Sequence, residues 1–225
     1  LRPGKNKAFK TDTRDSLLFR RSPSPAPEKE YMNGREIISV HILFKKIMSK
    51  NILLISASPR QQGNSDILCD EFLRGATDAG HQGEKIRLAD RDINYCTGCC
   101  SCIGGSGVCV QQDDMAEIHK KLLAADVLVL AAPVYFRSFN GHMKTFIDRV
   151  CPIYSMIRNK DVYFIISAAG GKLPVDSTVE SFRVFTDCLS GIREKGIISS
   201  TGIWDEGGVR DTSVMQQAYT AGRNA

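Results

Sequence analysis

The sequence predicts an α/β fold in which a doubly wound, five-stranded parallel sheet is covered by helices on both faces. Three observations carry this prediction. From residue 51 onward, short apolar runs alternate with amphipathic stretches; those stretches keep a 3.6-residue period; and loops rich in Ser, Gly, Pro or Cys follow the apolar runs. A chain of 225 residues, 42% apolar and 24% charged, is long enough for one such core and has the composition of an ordinary globular protein.

The strands are expected at Asn51 to Ser56, Glu84 to Leu88, Asp126 to Ala131, Asp161 to Ser167 and Ile197 to Ile203, each about as long as a buried strand needs. The first helix, Ser65 to Ala79, puts Ile67, Leu68, Phe72, Ala76 and Ala79 on one face. Met115 to Ala124 does the same with Ile118, Leu122 and Leu123. Further helices are expected over Phe139 to Val150, over Thr178 to Arg193 with Val179, Phe182, Phe185, Leu189 and Ile192 together, and near Thr212 to Gly222.

The first 47 residues differ in character. They carry eleven Lys and Arg against five Asp and Glu, together with Ser22-Pro23-Ser24-Pro25-Ala26-Pro27, a composition that favours open chain over a packed core. We expect a disordered basic extension over 1–47, with translation starting naturally at Met48, and one domain over 48–225. The rest of the chain holds 19 basic against 20 acidic residues, so the folded part has no basic excess with which to neutralise nucleic-acid phosphates. No apolar stretch approaches the length of a membrane span. Five of the eight cysteines crowd into 96–109, a spacing that suits metal or redox chemistry in a reducing cytoplasm better than a disulfide framework.

Parallel sheets of this kind bind ligands beyond the carboxyl ends of their strands. After the first strand comes Ser56-Ala57-Ser58-Pro59-Arg60-Gln61-Gln62-Gly63-Asn64-Ser65. Small hydroxyl residues let backbone wrap an anion, the following helix start offers unpaired N–H groups, Asn64 can cap it and Arg60 can add a full charge. This is a cradle for a phosphate monoester; an empty, capped strand-to-helix connection is the alternative. After the third strand, Pro133-Val134-Tyr135-Phe136 places aromatic surface at the same edge, and after the fourth, Ala168-Ala169-Gly170-Gly171 allows backbone to approach a ligand closely. In the next segment, Met143, Phe146 and Ile147 have helix-core spacing. Lys144, Asp148 and Arg149 are read as surface or interface charges, and His142 receives no catalytic role.

Ser58-Pro59-Arg60 with Gly63-Asn64-Ser65, followed by Pro133-Val134-Tyr135-Phe136, resembles the flavodoxin-like NAD(P)H-dependent FMN reductases over residues 50–223. The resemblance implies the sheet order 2-1-3-4-5. It also implies FMN, with the phosphate on Ser58, Arg60, Asn64 and Ser65, the isoalloxazine beside Pro133, Val134, Tyr135 and Phe136, and Ala169, Gly170 and Gly171 close to the flavin.

Cys96-Thr97-Gly98-Cys99-Cys100-Ser101-Cys102 with Cys109 reads C-x2-C-x2-C-x6-C when Cys100 is set aside. Such spacing can wrap a cubane, and it resembles the iron–sulfur flavoproteins, relatives that hold a 4Fe-4S cluster near FMN. Cys96, Cys99, Cys102 and Cys109 carry the match; zinc, a redox-active dithiol and structural thiols are the alternatives. Cys69, Cys151 and Cys188 fall in or at the ends of helical patterns and are read as buried free thiols.

The resemblance implies an FMN-dependent NAD(P)H oxidoreductase that passes electrons to a quinone, a flavin or a protein acceptor. Its flavin performs the chemistry, so no catalytic side chain is nominated. It also implies a homodimer or homotetramer. A non-enzymatic FMN electron carrier or redox sensor is the rival reading.

Overall fold

The computed structural model describes residues 49–104 and 107–225, so the extension expected over 1–47 lies outside the described residues. All described residues fall in the unit Val40–Ala225. Strands β1 (Asn51–Ser56), β2 (Gln82–Arg87), β3 (Val127–Tyr135), β5 (Asp161–Ser167) and β6 (Arg193–Ser200) form a parallel sheet ordered β2-β1-β3-β5-β6. That is the expected order for the five main strands. The one departure is β4 (Ser138–Phe139), which folds back antiparallel on the end of β3, pairing Val134 with Phe139 and Tyr135 with Ser138.

Helices α1 (Asn64–Ala79) and α5 (Ser213–Arg223) cover one face; α2 (Met115–Ala124), α3 (Gly141–Arg149) and α4 (Lys172–Asp187) cover the other. The first crossover therefore runs on one face and the second on the opposite face. Their loops part between the carboxyl ends of β1 and β3, which is where such sheets open a crevice. Helix α1 buries Ile67, Leu68, Phe72 and Ala76, and each fully buried large apolar side chain contributes about 1.5–3 kcal/mol. Against α1, α5 packs close enough that a Cβ on Gly75 would strike the Tyr219 carbonyl, and one on Gly222 the Phe72 carbonyl. Only glycine permits this helix contact.

The boundaries of α4, β2, β6 and β3 depart from expectation. The fourth helix runs Lys172–Asp187 rather than Thr178 to Arg193, because Pro174 sits in its first turn, where an N–H has no intrahelical partner to lose. Leu189 and Ile192 still meet the core, but from the connection beyond the helix. The edge strands β2 and β6 begin earlier than expected, at Gln82 and Arg193, because their first residues face solvent and leave no apolar run. Strand β3 continues to Tyr135 and absorbs most of the aromatic loop.

Candidate functional site

A cleft of about 210 Å3 opens at the carboxyl edge of the sheet between β1 and β3. Its phosphate-sized end is built from Ser58, Pro59, Arg60, Gly63, Asn64 and Ser65. Gly63, not Asn64, is the N-cap of α1, and no side chain caps the helix. Asn64 is instead the first helical residue, and its side chain is spent on the far loop: Nδ2 donates to the Asp205 carbonyl at 3.0 Å, and Oδ1 accepts from Val209 N–H at 3.3 Å. The helix start thus has no side-chain cap among the described residues, and its first-turn N–H groups are open to an anion.

Two hydroxyls face this end. Ser58 is buried and donates to the Arg60 carbonyl at 2.9 Å, leaving its lone pairs unspent. Ser65 is 1% exposed and its Oγ has no hydrogen-bond partner among the described residues. A buried hydroxyl without a partner costs about 1–3 kcal/mol, so the site fits a ligand oxygen at that point. Gly63 keeps the cradle narrow, since a Cβ there would collide with Ser58 Oγ. Behind it, the buried Asp66 carboxylate accepts from Ser56 Oγ at 2.7 Å and pairs with Lys85 at 3.2 Å and Arg87 at 3.4 Å. These two cations offset the negative charge that Asp66 would otherwise place behind an anion.

Across the cleft stand Pro133, Val134, Tyr135, Ser167, Ala169, Ile203 and Trp204. The structure therefore brings together Ser58, Arg60, Asn64, Ser65, Pro133, Val134, Tyr135 and Ala169. Phe136 does not line the cleft; it stands fully exposed at the hairpin tip, where it and Arg137 have φ of 50° and 66°. Gly170 and Gly171 also lie outside the lining and lead into α4, with Gly171 as its N-cap.

Sequence reasoning missed Ile203 and Trp204, because the last strand was expected to run to Ile203. The signal was present: the single tryptophan of the chain sits just past that strand. Asn140 was missed as well. It caps α3 by accepting from Met143 N–H at 3.4 Å, and its Nδ2 donates to the Ala57 carbonyl at 2.6 Å, tying the cradle to the start of α3. A second cavity of about 430 Å3 shares Pro59 and Tyr135 with the cleft and is lined further by Arg91, Tyr95, Asn140 and His142.

Between β2 and α2 the described residues of the cysteine loop form only two short turns, a 3-10 turn at Leu88–Asp90 and a helical turn at Ser101–Gly104. Cys96, Cys99, Cys100, Cys102, Cys109 and Cys151 all line one small cavity, beside Asp148 and Arg149. All eight cysteines are free. Three readings change here. Cys151 joins the loop cysteines rather than sitting apart, Cys188 is exposed while Cys69 is buried as expected, and Arg149 is not a surface charge. Cys100 has φ 56° and donates its thiol to the Gly98 carbonyl at 3.4 Å. Hydrogen bonds from the Ser101 backbone and side chain, and from Thr97, hold the exposed Cys99 thiol below its ordinary range. Burial, and then the neighbouring Cys102 thiol, push Cys151 up.

Among the described residues, no group of three or more His, Cys, Asp or Glu side chains is arranged to hold a single metal ion. A cubane is larger than an ion and spreads its four ligand sulfurs over a wider cage. The donor chemistry, six thiols around one cavity with a guanidinium beside them, is the soft ligand set that both iron–sulfur clusters and zinc take.

A doubly wound sheet whose switch-point crevice joins an uncapped helix start and an unpartnered hydroxyl to an aromatic wall is the architecture of a mononucleotide-binding α/β protein. Within that class the chain belongs to the NADPH-dependent FMN reductase family, an oxidoreductase family whose match spans residues 50–192. It is 42% identical over 98 residues to an iron–sulfur flavoprotein of Archaeoglobus fulgidus, covering 44% of each chain. With an iron–sulfur flavoprotein of Methanocaldococcus jannaschii it shares 40% identity over 111 residues, 48% of this chain and 57% of the relative. The chain thus spans about half the length of the curated relatives it matches. Its fold is also that of an NAD(P)H:quinone oxidoreductase from Methanothermobacter marburgensis, with TM-score 0.60, 19% identity, and coverage of 78% of this chain and 96% of that one. Among the described residues no helix is long and apolar enough to cross a membrane.

Proposed function

We propose that this chain is an FMN-dependent NAD(P)H oxidoreductase that delivers electrons to a quinone, a flavin or a protein acceptor, with a 4Fe-4S cluster in its thiol cavity. The observation that carries the reading is the buried Ser65 hydroxyl without a partner, set at an uncapped helix start in the switch-point cleft.

In this reading Ser58, Arg60, Asn64 and Ser65 surround the phosphate, Ser65 Oγ and the α1 N–H groups donate to it, and Arg60 adds charge from the rim. Pro133, Val134 and Tyr135 form one wall for the ring and Ala169, Ile203 and Trp204 the other, while Asn140 holds the cradle and the wall in fixed relation. Bound FMN supplies hydride acceptance from a nicotinamide and release of electrons singly or in pairs. The adjoining cavity beyond Pro59 and Tyr135 is where the nicotinamide and the acceptor approach. Cys96, Cys99, Cys102 and Cys109 hold the cluster, while the Cys100 thiol donates to the Gly98 carbonyl.

An anaerobic absorption spectrum with iron and sulfide analysis, followed by NADPH oxidation with excess quinone, tests the proposal. Equimolar flavin, matched iron and sulfide, and steady turnover are expected. A holoprotein that binds flavin but oxidises neither NADPH nor NADH with any acceptor would leave an electron carrier instead.

A further inference from the structure

Arg149 is the last residue of α3, and the structure buries its side chain to 1% exposure. Nη1 donates to the Asn94 carbonyl at 2.7 Å and to Asp113 Oδ2 at 2.6 Å, while Nη2 donates to Asp113 Oδ1 at 2.9 Å. Asn94 and Asp113 are the two ends of the segment that carries Cys96, Cys99, Cys100, Cys102 and Cys109. The same Asp113 carboxylate, itself 0% exposed, accepts from the N–H groups of Asn94 at 3.1 Å and Met115 at 3.2 Å. The guanidinium thus reinforces a neck that the Asp114 N–H to Asp92 carbonyl bond, at 3.1 Å, also closes.

That clasp uses the terminal nitrogens and leaves Nε buried with no hydrogen-bond partner among the described residues. Arg149 lines the cysteine cavity together with Cys109. A donor of this kind needs an acceptor, and cysteine sulfur is the commonest acceptor among the side chains that line this cavity.

We propose that Arg149 is the positioning residue of the thiol site: it clasps both ends of the cysteine loop and gives its Nε–H to the Cys109 sulfur. The inference rests on the reading that the cavity holds a 4Fe-4S cluster. Hydrogen bonds to ligand sulfurs and local positive charge raise a cluster's reduction potential by stabilising its more negative state. Asp113 cancels the Arg149 charge, so two substitutions act in opposite senses. Arg149→Lys keeps a cation for Asp113 but removes the Nε–H, and lowers the potential. Asp113→Asn leaves the guanidinium uncompensated, and raises it.

The test is a redox titration, followed by visible absorbance, of the wild type and both variants, each reconstituted anaerobically with iron and sulfide and checked for folding by circular dichroism. Each variant is expected to shift the one-electron equilibrium about tenfold, or about 59 mV, in its own direction. Loaded variants that do not shift, or that shift the same way, would overturn the role of Arg149 while leaving the cluster in place. A wild type that takes up no iron and sulfide would overturn the cluster reading instead. In that case, or where a variant fails to load, titration with Co2+ alone, read by its thiolate charge-transfer absorption, decides the clasp. Severalfold weaker binding by Arg149→Lys supports it, and wild-type binding refutes it.

Discussion

The Ser58–Ser65 end of the cleft stands on the short loop between β1 and α1 and on the first turn of α1, and much of what it offers a ligand is main-chain N–H at the helix start. The thiol cavity stands mostly on irregular chain between β2 and α2, whose two ends are held by a buried ion pair and a few hydrogen bonds, among them Asp114 N–H to the Asp92 carbonyl. One site inherits its precision from the sheet. The other leans on side-chain contacts, so changes to it should act on local order and stability far more than equivalent changes at the cleft.

The largest expected effect follows directly. Arg149→Ala strands the buried Asp113 carboxylate and should destabilise the protein by about 3–5 kcal/mol; urea unfolding measures it, and a loss under about 1 kcal/mol would mean that the loop is held by something else. The same pair predicts an acid transition. Burial alone would raise the Asp113 carboxyl, but hydrogen bonds from Arg149 and from the Asn94 and Met115 backbones hold it below the ordinary aspartate range. Its folded value is depressed, so its contribution is fully present above the unfolded aspartate value and is lost as pH falls through the folded one. Acid titration of the wild type should therefore release the cysteine loop below the ordinary aspartate range. Thiol accessibility at 96–109, read by labelling, should rise there while the core amides stay protected.

At the cleft the expected changes are smaller and concern binding. Ser65→Ala should weaken FMN about tenfold, which is about 1.4 kcal/mol, and leave riboflavin binding unchanged, since riboflavin has no phosphate. The flavin-free variant should be no less stable than the wild type, because the substitution removes a buried hydroxyl that lacks a partner. Calorimetric titration with both flavins checks the first point and thermal unfolding the second. The smallest effect belongs to the hairpin between β3 and β4. Arg137→Gly relieves a left-handed residue, worth roughly 1–2 kcal/mol, against roughly 0.5–1 kcal/mol of added backbone entropy. A gain in unfolding free energy under about 1 kcal/mol, with flavin affinity unchanged, is expected.

The sequence made the sheet and most of the cleft legible because both depend on local patterns. Buried strands are apolar runs, and the cradle is contiguous from Ser58 to Ser65. Edge strands β2 and β6 were placed less well, since half-exposed strands lose that contrast. What the sequence concealed are contacts between distant residues. Asn140 reaches Ala57 across 83 positions, Asn64 turns to the 205–209 loop rather than capping its own helix, and Arg149 meets Asp113 across 36. A charged residue at the end of an amphipathic helix looks the same in sequence whether it faces water or a buried carboxylate. Cys151 was misplaced for the same reason, since only the fold brings the end of α3 to the cysteine loop.

The central claim is that the cleft recognises a flavin by its phosphate. Titrating the flavin-free protein with FMN and with riboflavin, and following the quenching of flavin fluorescence, tests it most directly. The account predicts that FMN binds at least about a hundredfold more tightly, roughly 2.8 kcal/mol. Equal affinity for the two flavins would contradict it.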